Sequence, residues 1–274
     1  MVQSMKYGLS VVYRRSLIVI ILFLYEMFWG FILYRYVRSV AVPLLYRYPG
    51  DELPTWSSLF WIEGEFRLLK TDLLLSASLT LLLILLIRML LTPLINAGVF
   101  YAIHAQTGDQ WALFLAGIRS RYGRFMALYL LQTVLTWAPV CWLVKLMFDR
   151  LQDGGALQFI QQTPWLMYAA ACVLYIALIR LCFMYLQFAA AAGDSMGAAL
   201  LTWIRKLAPL AALSGLILLI AFILQAVLTA ASLWWAGLTA LIIHQASPLL
   251  RVFCRMWEIT SQHDLWYRSR KHAS

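Results

Sequence analysis

Three charged residues lie inside long apolar stretches, where charged side chains are rare. Glu26 lies about ten residues into the first apolar run, and Arg88 and Arg180 lie about fifteen residues into theirs. At about 1.5 Å of rise per residue, both arginines are roughly 22 Å from the outer ends of their helices. An unpaired charge at that depth in a membrane costs about 2.5–3.5 kcal/mol or more. We therefore predict a buried cluster of Glu26, Arg88 and Arg180 that lines the interior of a helix bundle.

Three roles are open for this cluster. The first is a salt bridge that packs the helices together. The second is a pocket for an anion or a lipid headgroup that opens to the cytoplasmic side of the membrane. In the third, the long arginine side chains extend along their helices until the guanidinium groups reach the membrane surface.

Two further carboxylates stand at the starts of amphipathic segments. Asp109 follows Gly108, and Asp194 follows Gly193. A carboxylate in this position accepts hydrogen bonds from free backbone N–H groups and complements the positive end of the helix dipole. We therefore interpret Asp109 and Asp194 as caps of interfacial helices, in preference to a catalytic role.

The other residue types that carry catalysis are scattered along the chain. The four cysteines lie in or beside apolar runs, without a CxxC or CxxH spacing, so neither a metal site nor a disulfide framework is predicted. The histidines form no H-E-x-x-H pattern, and no glycine-rich phosphate loop is present. We predict no catalytic residue, no metal and no cofactor, and therefore a non-enzymatic protein.

The composition identifies the elements that must hold these residues. Of the 274 residues, 63% are hydrophobic and 12% are charged, whereas a soluble domain carries about 25% charged residues. Several runs exceed the roughly 20 apolar residues that a membrane crossing needs. The predicted class is an all-α integral membrane protein that crosses the membrane several times. Nucleic acid is not a predicted partner, although the net charge is +10, because the positions of the basic residues fit a membrane protein.

The apolar runs define a single membrane domain, 1–274, with six transmembrane helices and amphipathic interfacial helices. A five-span alternative arises if residues 208–250 form one re-entrant unit. Residues 251–274 form a basic tail with several aromatic residues. The six predicted spans are 16–40, 73–103, 125–148, 165–191, 208–229 and 233–250.

The basic residues favour one side of this arrangement. The first residues, the turns at 104–124 and 192–206, and the tail hold thirteen Lys and Arg against four Asp and Glu. The loops on the opposite side hold seven of each. Because basic loops stay on the cytoplasmic side, we predict a protein of the cell membrane with both termini in the cytoplasm. The tail would then face anionic lipid headgroups or a cytoplasmic partner.

Two parts of the chain follow a common pattern. The sequence LIR occurs at 86–88 and again at 178–180, and a Gly-Asp pair follows each, at 108–109 and 193–194. Apolar residues with helical spacing come after both pairs, and each helical segment leads into another span. We interpret these parts as a parallel internal repeat of a span, an interfacial helix and a second span. Coincidence in a Leu- and Ala-rich sequence is the alternative.

The segment 93–101, with the sequence PLINAGVFY, is followed by Gly108, Phe114 and the basic patch at 118–124. Together with the segment 189–205, this pattern resembles bacterial six-span membrane proteins related to the membrane domain that precedes some glycerophosphodiester phosphodiesterases. The resemblance covers about residues 75–255. It implies a six-helix membrane domain without catalytic residues to carry over. Because no phosphodiesterase domain is expected after the last span, the resemblance does not imply enzymatic activity.

Three functions follow from these observations. The preferred one is a scaffold or accessory subunit of a larger membrane complex, for example a transport complex, with membrane lipids and another membrane protein as its partners. The alternative is a small transporter or lipid-handling protein with an arginine-lined cavity open to the cytoplasm. An intramembrane lipid enzyme ranks last, because the sequence offers no pair of acid and base.

Overall fold

The computed structural model describes residues 2–45, 73–105, 107–152, 164–234 and 238–271, and these residues form eight α-helices. In chain order they are α1 (Val2–Arg14), α2 (Ser16–Leu45), α3 (Leu73–His104), α4 (Gln110–Gln152), α5 (Pro164–Ala192), α6 (Met196–Arg205), α7 (Leu207–Trp234) and α8 (Leu238–Lys271).

Five of the described helices contain a segment that is long and apolar enough to cross a membrane. For the described residues, the predicted all-helical, multi-pass character is thereby confirmed. The sixth predicted span, 233–250, includes residues 235–237, which lie outside the described residues. The count of six therefore stays a prediction. The five segments are Ser16–Val40, Leu75–His104, Gln110–Lys145, Met167–Ala192 and Leu207–Ser232.

The chain divides into two compact units, 21–92 and 1–20 with 93–274. In the unit 21–92, α2 and the first part of α3 run antiparallel. The Tyr25 hydroxyl is 2.7 Å from Thr92 Oγ1, and the Tyr36 hydroxyl donates to the carbonyl of Ala77 at 2.8 Å. Trp29 is buried and contacts the Tyr25 ring edge to face. Tyrosine hydroxyls thus connect two otherwise apolar helices.

In the other unit, the second half of α8 is the central helix. It runs antiparallel to α7, because Gln225 donates to Ser247 at 2.7 Å near one end and Gln262 donates to the carbonyl of Leu210 at 2.9 Å near the other. It also runs parallel to α5. Phe100, Phe125 and Phe188 form the aromatic core beside it, with ring centroids 5.3–5.7 Å apart.

The amphipathic helix α1 covers a further side of α8. Its buried residues Ser4, Gly8 and Val12 follow one another at intervals of four and so lie on one helix face. Thr260 Oγ1 donates to the carbonyl of Gly8 at 3.1 Å, and Trp257 Nε1 donates to the carbonyl of Met5 at 2.9 Å. The first residues of the chain, which the charge distribution assigns to the cytoplasmic side, therefore form a packed helix.

The predicted tail, 251–274, also differs from the prediction. Residues 251–271 continue α8 without a break, and residues 272–274 lie outside the described part of the chain. Val252, Met256 and Trp266 are buried together with the polar residues between them. Low local hydropathy indicates an exposed tail, but α1, α5 and α7 pack against this helix and make hydrogen bonds with Trp257, Glu258, Thr260 and Gln262.

The two predicted interfacial helices have different outcomes. The segment 111–122 is the first part of the continuous helix α4, because Gly123 alone does not end a helix. The second segment is a separate helix, α6, which ends before Lys206. Pro209 explains this break, since proline lacks an N–H donor and its ring clashes with the carbonyl four residues earlier. The internal repeat stays a prediction.

Candidate functional site

Seven consecutive residues of α8, 258–264, are buried, and six of them are polar. A helix that is buried on every side usually has an apolar sequence. Burying polar side chains costs free energy unless they make hydrogen bonds. We call the connected polar side chains at this place the polar core. It consists of Glu258 and Gln262 on α8, Arg180 and Tyr185 on α5, and Ser214 on α7.

Hydrogen bonds connect the members of the polar core in a chain. Arg180 Nη2 lies 3.3 Å from Glu258 Oε2, and the Ser214 hydroxyl donates to Glu258 Oε1 at 2.9 Å. Gln262 Nε2 donates to Ser214 Oγ at 2.9 Å. The Tyr185 hydroxyl donates to Gln262 Oε1 at 3.0 Å. Three helices are thus connected by specific polar contacts, which fix their relative rotation and height.

The polar core lies beside apolar membrane-spanning segments. Arg180 is 12 residues before Ala192, the end of the span on α5, which corresponds to about 18 Å along the helix axis. Ser214 is 7 residues after Leu207, the start of the span on α7, or about 10 Å. An ionised residue at this depth is by default a candidate functional site, with its partner to be named. The partner of Arg180 in this unit is Glu258.

The two charged side chains of the polar core differ in how far the protein buries them. The Glu258 side chain is 7% exposed, and both of its oxygens have a partner. The Arg180 side chain is 54% exposed, so it is much less covered by the chain than its partner. The polar core therefore holds α5, α7 and α8 together on its inner side and presents a positive charge on its outer side.

A histidine pair lies next to the polar core. His263, on α8, is buried, and its Nε2 lies 3.4 Å from Nδ1 of His104 at the end of α3. Phe188 and Trp266 contact the His263 ring. Burial, and secondly the nearby His104, lower the pKa of His263 from 6.5 to about 3. The imidazole of His263 is therefore neutral in the folded protein at physiological pH.

This pKa predicts that acid destabilises the fold. Between pH 6.5 and pH 3 the unfolded chain binds a proton that the folded chain does not bind at His263, so stability falls as the pH falls. We expect a loss of about 2 kcal/mol at pH 5 relative to pH 7.5. Thermal unfolding of the purified protein at the two pH values measures this loss. A His263→Gln variant should lose most of the pH dependence, and His104→Gln should keep most of it. Equal pH dependence in wild type and His263→Gln would contradict the assignment.

The residues of the predicted charge cluster belong to two different units. Glu26 is half-buried on α2, and Arg88 is exposed on α3, both in the unit 21–92. Arg88 makes no ion pair with Glu26 or with any other residue in the described part of the chain. Arg180 belongs to the other unit, so the role of Glu26 toward Arg180 stays a prediction.

The two predicted caps occupy different positions at their helices. The backbone N–H of Ala112 donates to Asp109 Oδ2 at 3.3 Å, which is the geometry of a cap at the start of α4. At α6 the cap position is occupied by Ser195, one residue after Asp194, and the Ser195 side chain makes no capping hydrogen bond. Gly193, with a φ of 85°, ends α5, and the N–H of Asp194 donates back to the carbonyl of Ala189.

A groove of about 470 Å³ lies on the second half of α2. Arg35 and Arg38 line it together with aromatic and small side chains. Two guanidinium groups beside an aromatic ring can hold an anionic group. The groove belongs to the unit 21–92, and its residues take no part in the polar core.

Sequence reasoning did not find Glu258, Gln262, Ser214 or Tyr185, because the segment around Glu258 has the composition of an exposed tail. One signal was available. Val252, Met256, Ile259 and Trp266 follow one another at helical spacing, which predicts a helix with one packed face. That pattern does not reveal which helices supply the partners of the polar residues. No family model, no curated protein and no solved structure matches this chain.

Proposed function

We propose that this chain is a non-enzymatic integral membrane protein that acts as a scaffold or accessory subunit of a larger membrane complex. The observation that carries the proposal is the low burial of its membrane-spanning helices. In the most apolar 18-residue window of each of the five spans, between 0% and 33% of the residues are buried within the chain. A large area of these helices is therefore available to lipid and to other membrane proteins.

The polar core also supports this proposal, because it fixes how three of the helices are arranged. Its hydrogen bonds are made between α5, α7 and α8, so their effect is to fix the arrangement of the helices that present the exposed spans. A defined arrangement of this kind is what a partner subunit needs for specific binding. The resemblance of the segment 93–101 to the membrane domain found with some phosphodiesterases is compatible with such a role.

Extraction from native membranes tests this proposal. After extraction in a mild detergent, we expect the chain to migrate in native electrophoresis in a complex that contains at least one other membrane protein in fixed stoichiometry. The same chain produced in a foreign host, without the partner, is the control and should migrate at the mass of the chain with its detergent. If both preparations migrate alike and contain this chain only, the proposal fails.

The orientation of the chain is part of the proposal. The basic residues Arg14, Arg119, Arg124 and Arg205 are exposed near the ends of the spans that we assign to the cytoplasmic side. We infer that both ends of the chain lie in the cytoplasm. Reporter fusions at each end check the assignment, and reporters active on opposite sides would contradict it.

The alternative function is a small transporter or a lipid-handling protein, and the exposure of Arg180 favours it as the second candidate. A guanidinium group that faces away from the chain at this depth could bind an anion in a hydrated cavity. A cysteine at Ala177, which is exposed on the same helix, would then react with a water-soluble thiol reagent. In an accessory subunit the same cysteine is covered by lipid or a partner helix and reacts slowly.

A further inference from the structure

Two arginines on apolar spans present their side chains away from the chain. Arg88 is 13 residues from Leu75 and 16 from His104, the two ends of its span. Arg180 is 13 residues from Met167 and 12 from Ala192. Both are therefore at least about 18 Å from the nearer end of their spans. Each arginine thus lies well inside its apolar segment, where an ionised side chain is unfavourable without a partner.

Neither arginine is fully compensated within the described part of the chain. Arg88 is exposed and makes no ion pair or side-chain hydrogen bond there. Arg180 is paired with Glu258, but its side chain remains 54% exposed, and Glu258 also accepts a hydrogen bond from Ser214. Because a charge in hydrocarbon is unfavourable unless another group pairs with it, both arginines require a group of opposite charge from outside the described part of the chain.

The surroundings of the two arginines match one another. Ser78 and Leu85 precede Arg88 by ten and three residues and are exposed, and Leu81 between them is half-buried. At the same distances before Arg180, the residues Ala170, Val173 and Ala177 are exposed. These spacings place each set on one face of its helix. Small residues such as Ser78 and Ala177 allow a second helix to approach closely.

We propose that Arg88 and Arg180 are docking points for carboxylates on the membrane helices of a partner protein. This inference rests on the proposed function as an accessory subunit and names the chemistry by which the partner is recognised. A carboxylate fits because the planar guanidinium group donates two parallel hydrogen bonds to its two oxygens. A second copy of this chain fits poorly, because Glu26 is the one acidic residue in the described parts of the five spans and two arginines must be matched.

Site-specific photocrosslinking in native membranes tests the proposal. A photoreactive amino acid replaces Leu85 or Ala177 in the full chain, three residues before each arginine. Val134 and Phe222, which are exposed on other spans, serve as control positions. We expect crosslinks from Leu85 and Ala177 to a membrane helix of another protein, with an Asp or Glu within about one helical turn of the crosslinked residue.

The charge dependence of the crosslink gives the decisive comparison. Arg88→Gln should reduce the product from Leu85 at least tenfold, and Arg88→Lys should retain part of it. Because Arg88 has no ion pair in the described part of the chain, Arg88→Gln should leave the thermal stability of the purified protein unchanged. Arg180→Gln should likewise reduce the crosslinked product from Ala177 at least tenfold. Glu258→Gln removes the ion pair with Arg180 but keeps the arginine. If the crosslink from Ala177 depends on Arg180 itself, it should persist in Glu258→Gln and be lost in Arg180→Gln.

Several results would overturn the proposal. Crosslinks to lipid only, to a second copy of this chain, or to a helix without Asp or Glu would each do so. An unchanged yield of the crosslink from Leu85 in the Arg88→Gln variant would also overturn the proposal. If the native complex persists in the arginine variants, the accessory function stands and the docking role of the arginines fails. If no complex exists in native membranes, the proposed function itself fails.

Discussion

Glu258→Ala is expected to be the most destabilising single substitution on the polar side of α8. It removes the carboxylate that pairs with Arg180 and accepts the hydrogen bond from Ser214. Breaking a buried ion pair by removing one partner costs about 3–5 kcal/mol. Because the Arg180 side chain is 54% exposed, we expect the lower end, about 3 kcal/mol. This corresponds to a fall of roughly 6–12 °C in melting temperature.

Two matched variants make the result specific to the polar core. Glu258→Gln keeps the acceptor for Ser214 and loses only the charge, so the loss of stability should be about half as large. Asp109→Ala removes an exposed carboxylate that caps α4, and should cost about 1 kcal/mol. In a double-mutant cycle with Arg180→Ala, the two losses should be less than additive. If Glu258→Ala unfolds at the wild-type temperature, the polar core does not hold these helices together.

Gly8→Ala is expected to displace α1 from α8. A Cβ atom at Gly8 would collide with Ser261 Oγ and would lie 2.9 Å from the backbone nitrogen of Ser261. The side chain can rotate away, but the backbone of a buried helix cannot. The hydrogen bonds that Thr260 and Trp257 donate to α1 would be lost or lengthened. We expect a loss of about 3 kcal/mol, the upper end for overpacking, and faster proteolysis within the first 15 residues.

A Gly→Ala substitution at Gly123 is the control, and we expect it to leave stability unchanged or to raise it. A Cβ atom at Gly123 on α4 would meet no atom within 4 Å. Gly123→Ala should therefore be neutral or stabilise the protein by up to about 1 kcal/mol, since alanine favours helix. Adding Ser261→Gly to Gly8→Ala should restore only part of the stability, because the backbone contact remains. Equal effects at Gly8 and Gly123 would show that α1 does not pack closely on α8.

The sequence by itself determined the class of the protein and most of its helices. A run of about 20 apolar residues has one stable form in hydrocarbon, because a helix satisfies its own backbone hydrogen bonds. The five spans on α2, α3, α4, α5 and α7 could therefore be predicted from local composition alone. The same holds for the unusual character of Arg88 and Arg180, since a charge within an apolar run is visible without any knowledge of its neighbours.

Only the tertiary structure decided where the polar segment of α8 lies and which residue pairs with Arg180. Local composition indicates a tail at residues 251–274 and gives no sign that Glu258 pairs with Arg180. In the fold, residues of α5 and α7 make the hydrogen bonds of Glu258 and Gln262. The physical reason is that a buried polar side chain is compensated by atoms that are 44 to 78 residues away along the chain. Local composition shows that such a residue is polar and unfavourable to bury. Its hydrogen-bond partners lie on other helices and reach it only when the helices pack.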